Sequence, residues 1–408
     1  MSRRVVCTCL MIGLLALLAA CTGVKKEDTK TDASGQWKYV LETDGGATVT
    51  GYVVEPEGDL AIPSELDGHA VTGIGFQAFA TCKGLTSVTI PDGVTRIGVW
   101  AFLACEGLTS VAIPDSVTSI GMGAFMNSGL TSVTIPGSAT DIGTNPFNGC
   151  PLTFIDVSQN NPAYAHMDGV LFDNEQKMLV SFPSAREGAY TIPEGTLHIG
   201  DAAFGRCRNL TSITIPDSVT SIGNAAFMEC SGLTSVMISD SVTSIGHSAF
   251  SGCSSLTSVM IPDSVTRIDA DMLFMGSSVT HIDVASNNPV FEGIDGVLFD
   301  KQKRMLVSYP NAREGAYTIP QGTQSVGRAA FMACSGLISI TIPDSVASIG
   351  DSAFLMCSGL ISVTIPGSVM EIGRGAFQGS DEAIFNVKEG SLAEKYARDN
   401  GIPYVFIN

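Results

Sequence analysis

The sequence predicts a repeat solenoid that is mostly β, with short helical or 3-10 turns and about 23 residues per coil. Residues 210–230 read LTSITIPDSVTSIGNAAFMEC, and residues 233–253 read LTSVMISDSVTSIGHSAFSGC. The same pattern recurs in three groups, and within each group its copies are 23 residues apart (once 22). The copies begin at Leu85, Leu108, Leu130, Leu210, Leu233, Leu256, Leu337 and Leu360. One repeat cannot bury its own apolar edge, but stacked repeats share a continuous core. The repetition therefore indicates a curved or rod-like stack of coils.

Each repeat opens with the pattern L-x-x-V-x-I, as in Leu85, Val88 and Ile90. Its alternation predicts a short strand with these side chains facing inward. A proline such as Pro91 follows in most repeats, and it ends the strand because it lacks an N–H donor. The pattern V-x-x-I-G then brings the chain back with two further apolar contacts. Each repeat closes on Ala-Phe and often Cys, which we expect to stack on their counterparts in the next coil.

Two nearly identical blocks, residues 168–196 and 295–323, interrupt the repeats and lie 127 residues apart. Each block reads V-L-F-D, a polar tip and then M-L-V-S, a pattern that predicts a β-hairpin. We therefore expect β-hairpin insertions near 155–192 and 282–319. The likeness of the two blocks indicates that a segment of several repeats was duplicated.

The predicted solenoid covers residues 71–380 and contains both insertions. The open ends of a solenoid would expose its core unless other segments covered them. We therefore predict an N-terminal cap over residues 37–70. A C-terminal cap, a short helix followed by a strand, is predicted over residues 381–408.

The N-terminus has the features of an export signal. Arg3 and Arg4 precede an apolar run that is too short to span a membrane comfortably, which predicts a signal peptide over residues 1–20. The run ends in LAAC, which resembles a bacterial lipobox and implies that Cys21 is acylated after cleavage before it. Ordinary secretion with a chance cysteine, or a retained anchor, are the alternatives. The polar residues 21–36 are predicted to be a flexible tether.

The net charge of the chain is strongly negative. It is −18 for the whole sequence and becomes −20 once residues 1–20, with two arginines and no acids, are removed. Nucleic acids and anionic lipid headgroups would repel such a surface. We therefore predict no nucleic-acid partner, and membrane contact only through the lipid anchor.

Eight cysteines end a repeat at the same phase: Cys82, Cys105, Cys150, Cys207, Cys230, Cys253, Cys334 and Cys357. None forms C-x-x-C, so zinc binding is not predicted. Stacked coils would bring neighbouring cysteines within disulfide reach. Cysteine also packs as a small buried hydrophobe. A ladder of free buried thiols is the favoured interpretation, and disulfide bridges are the alternative.

The sequence contains no recognisable catalytic or metal-binding constellation. An aspartate follows many strands, but one carboxylate per turn is better explained by its preference for turns than by a calcium ladder. The five histidines lack ligand spacing: His69, His166, His198, His247 and His281. The usual hydrolase, metalloprotease and nucleotide-binding motifs are absent from the sequence. We therefore predict no enzymatic activity, no cofactor and no metal site.

Three features together resemble the BspA-like leucine-rich repeat proteins: the repeat motif, the DGVLF…LVSFP insertion and the ending VKEGSLAEKYARDNGIPYVF. The resemblance covers about residues 50–408. Members of that family are mainly bacterial surface and secreted proteins, and they are implicated in adhesion to host matrix proteins and to other bacteria. The resemblance implies a binding role without identifying the ligand.

The outward positions of the predicted strands are mostly threonine and serine. Departures from that pattern occur at Met237 and Met260 in adjacent repeats, and at Ile338 and Ile361 in another adjacent pair. Exposed apolar side chains often mark contacts, and methionine adapts to varied partners. We therefore predict that these four residues contribute to a protein-binding face, although drift in a permissive repeat would also explain them.

The sequence predicts an exported protein that is lipid-anchored to the cell envelope, at the outer membrane or cell surface. Thr22 after Cys21, instead of aspartate, favours the outer membrane through a resemblance to enterobacterial lipoproteins. The predicted function is adhesion to host matrix proteins or other bacterial surface proteins. The alternative is a structural or scaffolding lipoprotein in the periplasm. Carbohydrate binding is disfavoured because Trp37 and Trp100 are far apart in the sequence.

Overall fold

A computed structural model describes residues 29–175 and 177–407. The predicted signal peptide, Cys21 and the first part of the predicted tether lie outside the described residues. The described chain is a β-solenoid of about 16 turns with about 23 residues per coil and nearly no helix. This confirms the predicted fold class. Its 36 strands are numbered here in chain order.

One side of the solenoid, here called face A, is built from the L-x-x-V-x-I segments. Neighbouring strands pair in parallel, in five hydrogen-bonded groups. The strands are β4 (Gly58–Ala61), β7 (Leu85–Thr89), β9 (Ser110–Ala112), β11 (Ser132–Ile135), β13 (Phe154–Val157), β17 (Gly188–Thr191), β19 (Leu210–Thr214), β21 (Ser235–Met237), β23 (Ser258–Ile261), β25 (His281–Val284), β29 (Gly315–Thr318), β31 (Leu337–Thr341), β33 (Ser362–Ile365), β35 (Ile384–Val387) and β36 (Tyr404–Phe406).

A second side, face B, is built mainly from the V-x-x-I-G segments, which form short parallel strands of their own. The sequence pattern predicted that these segments bring the chain back to the core, but it did not predict that they form strands. The strands are β3 (Ala47–Tyr52), β6 (His69–Ile74), β8 (Arg96–Ile97), β10 (Ser119–Ile120), β12 (Asp141–Ile142), β16 (Met178–Ser181), β18 (His198–Ile199), β20 (Ser221–Ile222), β22 (Ser244–Ile245), β24 (Arg267–Ile268), β28 (Met305–Ser308), β30 (Ser325–Val326), β32 (Ser348–Ile349) and β34 (Glu371–Ile372).

The remaining elements are the hairpins and the two ends of the solenoid. They are β1 (Lys30–Thr31), β2 (Trp37–Leu41), β5 (Glu65–Leu66), β14 (Tyr164–Met167), β15 (Val170–Asp173), β26 (Phe291–Ile294), β27 (Val297–Asp300) and the helix α1 (Leu392–Asn400). Within the described residues, no helix is long and apolar enough to cross a membrane.

The core contains columns of phenylalanine, one ring from each coil. In the middle column, the rings of Phe204 and Phe227 lie 5.1 Å apart and those of Phe227 and Phe250 lie 5.5 Å apart, nearly parallel in both pairs. Similar columns run through the coils on either side. The predicted stacking of phenylalanine on its counterparts is confirmed. Each ring therefore fixes the axial position of its neighbours.

The eight repeat cysteines are all free and buried, which confirms the predicted thiol ladder. In several coils the thiol donates to the phenylalanine carbonyl oxygen of the preceding coil, as Cys357 does to Phe331 at 2.9 Å. Ser380 occupies the same position one coil later and donates to Phe354 O at 2.9 Å. Burial raises the pKa of Cys105 and of Cys357 to about 12, so these thiols keep the proton that they donate.

The corner that contains Ala-Phe forms a third ladder of backbone hydrogen bonds along the axis. The N–H groups of Ala329, Phe331 and Ala333 donate to carbonyl oxygens of the following coil at 2.8–3.0 Å. Ala329 and Ala333 adopt positive φ, 51° and 58°, and equivalent residues do so in most corners. This conformation disfavours residues with a Cβ atom. The backbone strain at the corner is offset by the hydrogen bonds between coils.

Each hairpin block contributes three antiparallel strands. In the first block β14 pairs with β15 and β15 with β16, and β16 then pairs in parallel with β18 of face B. The second block repeats this arrangement with β26, β27 and β28. The predicted insertion ranges also contain β13, β17, β25 and β29, which belong to face A because they keep the alternation of the repeat. The hairpin blocks are therefore shorter than predicted.

The N-terminal end is ordered from within the segment predicted to be a tether. β1 pairs antiparallel with β2, and β2 with β3. The carboxylate of Asp32 accepts hydrogen bonds from the backbone N–H groups of Ser34, Gln36 and Trp37, which fixes the turn between β1 and β2. The predicted tether, 21–36, was therefore too long at its C-terminal end.

At the C-terminal end, α1 covers the last coils. Ser391 accepts a hydrogen bond from Glu394 N, and Gly401 ends the helix with φ of 69°. Ala393 and Ala397 are the buried residues of the helix, and their small side chains let it approach the core closely. Tyr396 of the same helix also packs against the core. β36 follows and pairs with β35.

We expect Cys357→Ala to lower the free energy of unfolding by about 1–2 kcal/mol, because Phe331 O loses the thiol donor and keeps only the hydrogen bond from Cys334 N. Cys357→Ser should lower it less, since Ser380 makes the same bond one coil later. Denaturant unfolding of both variants is the measurement. If both variants lost the same free energy of unfolding, the contribution of Cys357 to stability would come from its packing volume and not from its hydrogen bond.

We expect Ala329→Gly to raise the free energy of unfolding by about 0.5–1 kcal/mol, because glycine tolerates positive φ. The matched opposite change is Gly276→Ala. Gly276 has φ of 70°, and a Cβ atom there would meet its nearest neighbour at 3.9 Å, so conformation alone is tested. This variant should lose about 1 kcal/mol in thermal or denaturant unfolding. If both substitutions changed the free energy of unfolding in the same direction, the proposed backbone strain at positive φ would be contradicted.

Candidate functional site

The outer surface of face A is built from the second, third and fifth residues of each repeat. In β7, Leu85 and Val88 point into the core, Thr86 and Thr89 are exposed, and Ser87 is half-buried. β19 and β31 have the same pattern. Face A therefore presents a regular polar surface on a rigid support.

The threonines of this surface have a structural role that the sequence did not reveal. The hydroxyl of Thr234 donates to the backbone oxygen of Thr211 at 2.9 Å, and Thr109 donates to Thr86 O at 3.3 Å. These are second-position residues of successive coils. A side chain without a hydroxyl at the second position gives up this bond.

The first predicted pair, Met237 and Met260, lies on the outer surface of face A in consecutive coils. The two side chains are 72% and 52% exposed. Met237 is the register partner of Thr214, and Met260 that of Asp283. These two residues are called the methionine pair below.

The second predicted pair, Ile338 and Ile361, is also exposed, at 50% and 53%. Ile361 N donates to Ile338 O at 2.8 Å, and Ile384 N donates to Ile361 O at 2.8 Å. Ile384 is itself 42% exposed, and it extends the pair to a row that sequence reasoning missed. We call Ile338, Ile361 and Ile384 the isoleucine row.

Ile384 escaped detection because the repeat spacing changes there. β35 pairs with β33 at an offset of 22 residues, so Ile384 is the register partner of Ser362. The opening leucine of the repeat is also missing from IFNV. The sequence signal that could have identified Ile384 is an isoleucine at the start of the IFNV segment.

The two predicted pairs do not form one continuous patch. Two strands of face A, β25 and β29, lie between β23 with Met260 and β31 with Ile338. The methionines also occupy the fifth position of the repeat, whereas Ile338 and Ile361 occupy the second. Face A thus carries these two separate apolar groups, and it also exposes Phe154 on β13 and Val405 and Phe406 on β36.

Face B contains two equivalent clefts, one beside each hairpin. The first has a volume of about 330 Å³, and its charged lining is Asp141, Asp173, Glu175 and Asp201. The second has a volume of about 820 Å³ and also carries the basic residues Arg267, Lys303 and Arg328. The hydroxyl of Tyr164 accepts a hydrogen bond from Ile142 N at the first cleft. The second hairpin has Phe291 in place of Tyr164, and its larger cleft is not tied in this way.

Cys21 cannot be placed on this geometry, because it lies outside the described residues. Among residues 29–175 and 177–407, no group of three or more His, Cys, Asp or Glu side chains is positioned to hold a metal ion. The features that distinguish the described chain are the polar face A, its two apolar groups and the two clefts.

Parallel coils that open with L-x-x-V-x-I and display one uniform strand face define a leucine-rich repeat solenoid. The model of the BspA type leucine rich repeat region matches the chain over residues 63–176, 182–301 and 314–392, with six copies. These residues make up more than half of the chain, which therefore belongs to this family. No curated protein sequence is significantly similar to the chain.

Solved structures of bacterial leucine-rich repeat proteins are similar to this chain. A leucine-rich repeat protein from Eubacterium ventriosum is 25% identical, with a TM-score of 0.52 over 86% of this chain and 94% of that one. A leucine rich cell surface protein from Faecalibacterium prausnitzii is 24% identical, with a TM-score of 0.42 over 91% and 98%. A leucine-rich repeat protein from Bacteroides ovatus is 22% identical, with a TM-score of 0.43 over 91% and 98%. The first likeness supports the solenoid fold.

Proposed function

We propose that this chain is an exported, lipid-anchored protein that binds protein ligands through face A at the bacterial cell surface. The observation that carries the proposal is the presence of two exposed apolar groups on a face whose regular repeats present mostly threonine and serine. Membership of the BspA type repeat family supports a binding module. The proposed role involves no catalysis.

The exposed apolar groups favour a protein ligand over a small molecule. The methionine pair and the isoleucine row stand on flat, hydrogen-bonded strands, and a partner would have to span several coils to cover both. β23 and β31 belong to different hydrogen-bonded groups, with β25 and β29 between them, so a partner that covers both apolar groups has to span at least four strands. That span suits the surface of a folded protein, of which the family resemblance indicates host matrix or other bacterial surface proteins.

The substitutions themselves support selection for contact. Ile338 and Ile361 replace the second-position threonines that elsewhere donate to the coil before them, as Thr234 does. Ile361, which matches Thr234 in the duplicated segment, therefore loses a hydroxyl hydrogen bond. Both isoleucines also expose apolar area to water, which is unfavourable unless a partner covers it. The same exposure is expected to make these side chains energetically important when a partner binds.

The proposed anchor rests on the sequence. LAAC at the end of the apolar run resembles a lipobox, so Cys21 would carry the lipid, and the polar residues that follow would separate the solenoid from the membrane. Two or more acyl chains hold a protein firmly, whereas one chain binds only weakly. The negative charge of the chain disfavours direct contact with anionic headgroups.

We expect the combined variant Met237→Thr, Met260→Thr, Ile338→Thr and Ile361→Thr to bind its ligand at least about tenfold more weakly. Threonine is the common residue of this face, so the fold should persist, as circular dichroism can check. The measurement is binding to a panel of immobilised host matrix proteins.

The matched control is Met370→Thr, which removes a 77% exposed apolar side chain next to β34 on face B. This control should bind like the unsubstituted protein. Undiminished binding by the four-residue variant would exclude these side chains from the contact surface.

We expect added protease to cut the solenoid on intact cells, and Cys21→Ala to release the protein from the membrane fraction. Digestion of intact and lysed cells, followed with an antibody to the repeats, is the measurement. Protection of the unsubstituted protein until lysis would contradict surface exposure. It would favour the alternative, a periplasmic scaffolding lipoprotein that binds envelope partners.

A further inference from the structure

Two sulfur atoms of face A stand in solvent on neighbouring coils. Met237 and Met260 lie 23 residues apart, at the fifth position of their repeats, where Thr214 and Thr341 stand in other repeats. Both methionine side chains are exposed, and β21 and β23 contact each other. Because Cα atoms of β21 and β23 come within 8 Å of each other, the two flexible thioethers can reach one point above the face.

A histidine of the next strand lies beside this pair. In the register of β23 and β25, Ser258 is opposite His281, and Met260 is opposite Asp283. Alternate residues of a strand share one face, so His281 and Asp283 both point outward, as Met260 does. Nε2 of His281 lies 3.1 Å from Oδ1 of Asp283. The ring therefore leans along the strand toward the position opposite Met260.

The position of the imidazole is fixed from below. A Cβ atom on Gly296 would come within 2.2 Å of Nδ1 of His281, so the ring rests directly on this glycine. Gly296 has φ of 71° and belongs to the turn between β26 and β27. Nδ1 thus faces the protein, and Nε2 is the ring nitrogen on the side of the methionine pair.

The duplicated segment provides an internal comparison. Met260 and Thr134 are equivalent, because Asp283 and Asp156 are their register partners. Phe154 stands where His281 does in the second segment, and Ala112 stands where Met237 does. The carboxylate is thus common to both segments, and in the first one it lies 3.3 Å from Nε2 of His166. The two methionines, and a histidine at the position of His281, occur only in the second segment. All three positions carry metal-binding side chains in the second segment and none in the first. Independent random substitutions do not readily explain this joint difference.

We propose that Met237, Met260 and His281 form a binding site for a soft monovalent metal ion, Cu(I) in the cell and Ag(I) as its experimental substitute. Thioether sulfur is a soft ligand that selects Cu(I) over Zn²⁺, Ca²⁺ or Mg²⁺, and imidazole also suits copper. On binding, Nε2 of His281 leaves the carboxylate of Asp283 and coordinates the ion. If Nε2 carries a proton, that proton goes to solvent. No electron transfer is involved.

This proposal departs from the prediction of no metal site, which weighed histidine, cysteine and carboxylate ligands but not thioethers. The repeat thiols, which are softer ligands, are buried in the core, and burial raises the pKa of Cys253 well above its ordinary value. The methionine pair is therefore the accessible soft sulfur on the described face A. The inference does not depend on the proposed function, since it uses the sulfur atoms and not the apolar surface.

The test is a titration of the purified full-length protein with one equivalent of Ag(I), without oxygen, followed by NMR of ¹³C-methyl methionine. The methyl signals of Met237 and Met260 should shift, and that of Met370 should not. Competition with a chromogenic Cu(I) chelator then measures the affinity. Unmoved signals of the pair, together with a loss of titratable thiols, would place the ion on cysteine and overturn the proposal.

Substitutions separate this site from the proposed protein contact. Met237→Leu with Met260→Leu keeps apolar side chains but removes sulfur, so Cu(I) affinity should fall at least about tenfold while protein binding persists. His281→Phe, which copies the first segment, should weaken Cu(I) binding as well. Met370→Leu is the matched control and should leave it unchanged. Wild-type Cu(I) affinity in the double variant would overturn the proposal.

Discussion

The structure depends on the stacking of each side chain on the equivalent side chain of the next coil. Rings such as Phe204 and Phe227 lie 5.1 Å apart, close to the spacing of strands in a sheet. One axial spacing therefore satisfies the ring columns, the thiol-to-carbonyl bonds and the backbone ladders of both faces and the corner. A slip of one residue would break all of these contacts together, so the register is strongly fixed.

This constraint divides the repeat into fixed and variable positions. Inward residues such as Leu85 and Val88 must match their neighbours above and below, whereas the outward residues of face A need only tolerate a sheet. Function can change on the outer surface without disturbing the core. That is why the departures from threonine at the methionine pair and the isoleucine row are informative, although each is a single-residue change.

The two hairpin blocks show how a duplicated segment can keep its fold and change its surface. Tyr164 and Phe291 fill equivalent positions, but only the tyrosine hydroxyl ties its hairpin to β12. Phe154 and His281 likewise share one position above a glycine. Phe154 packs its ring on His166, whereas His281 turns toward Asp283. The backbone is common to both segments, and the side chains decide what each surface can bind.

The sequence by itself determined the period, the inward residues and the outward placement of Met237 and Ile338, and it favoured free thiols over disulfide bridges. These follow from spacing, because residues one repeat apart stack on each other. The tertiary structure alone decided that the two apolar groups are separate, that Ile384 joins Ile361, and that His281 leans toward Met260. Those relations depend on the coils added by the second block, on a register shift and on a ring resting on Gly296. They arise from contacts outside the repeat period, which a one-dimensional pattern does not encode.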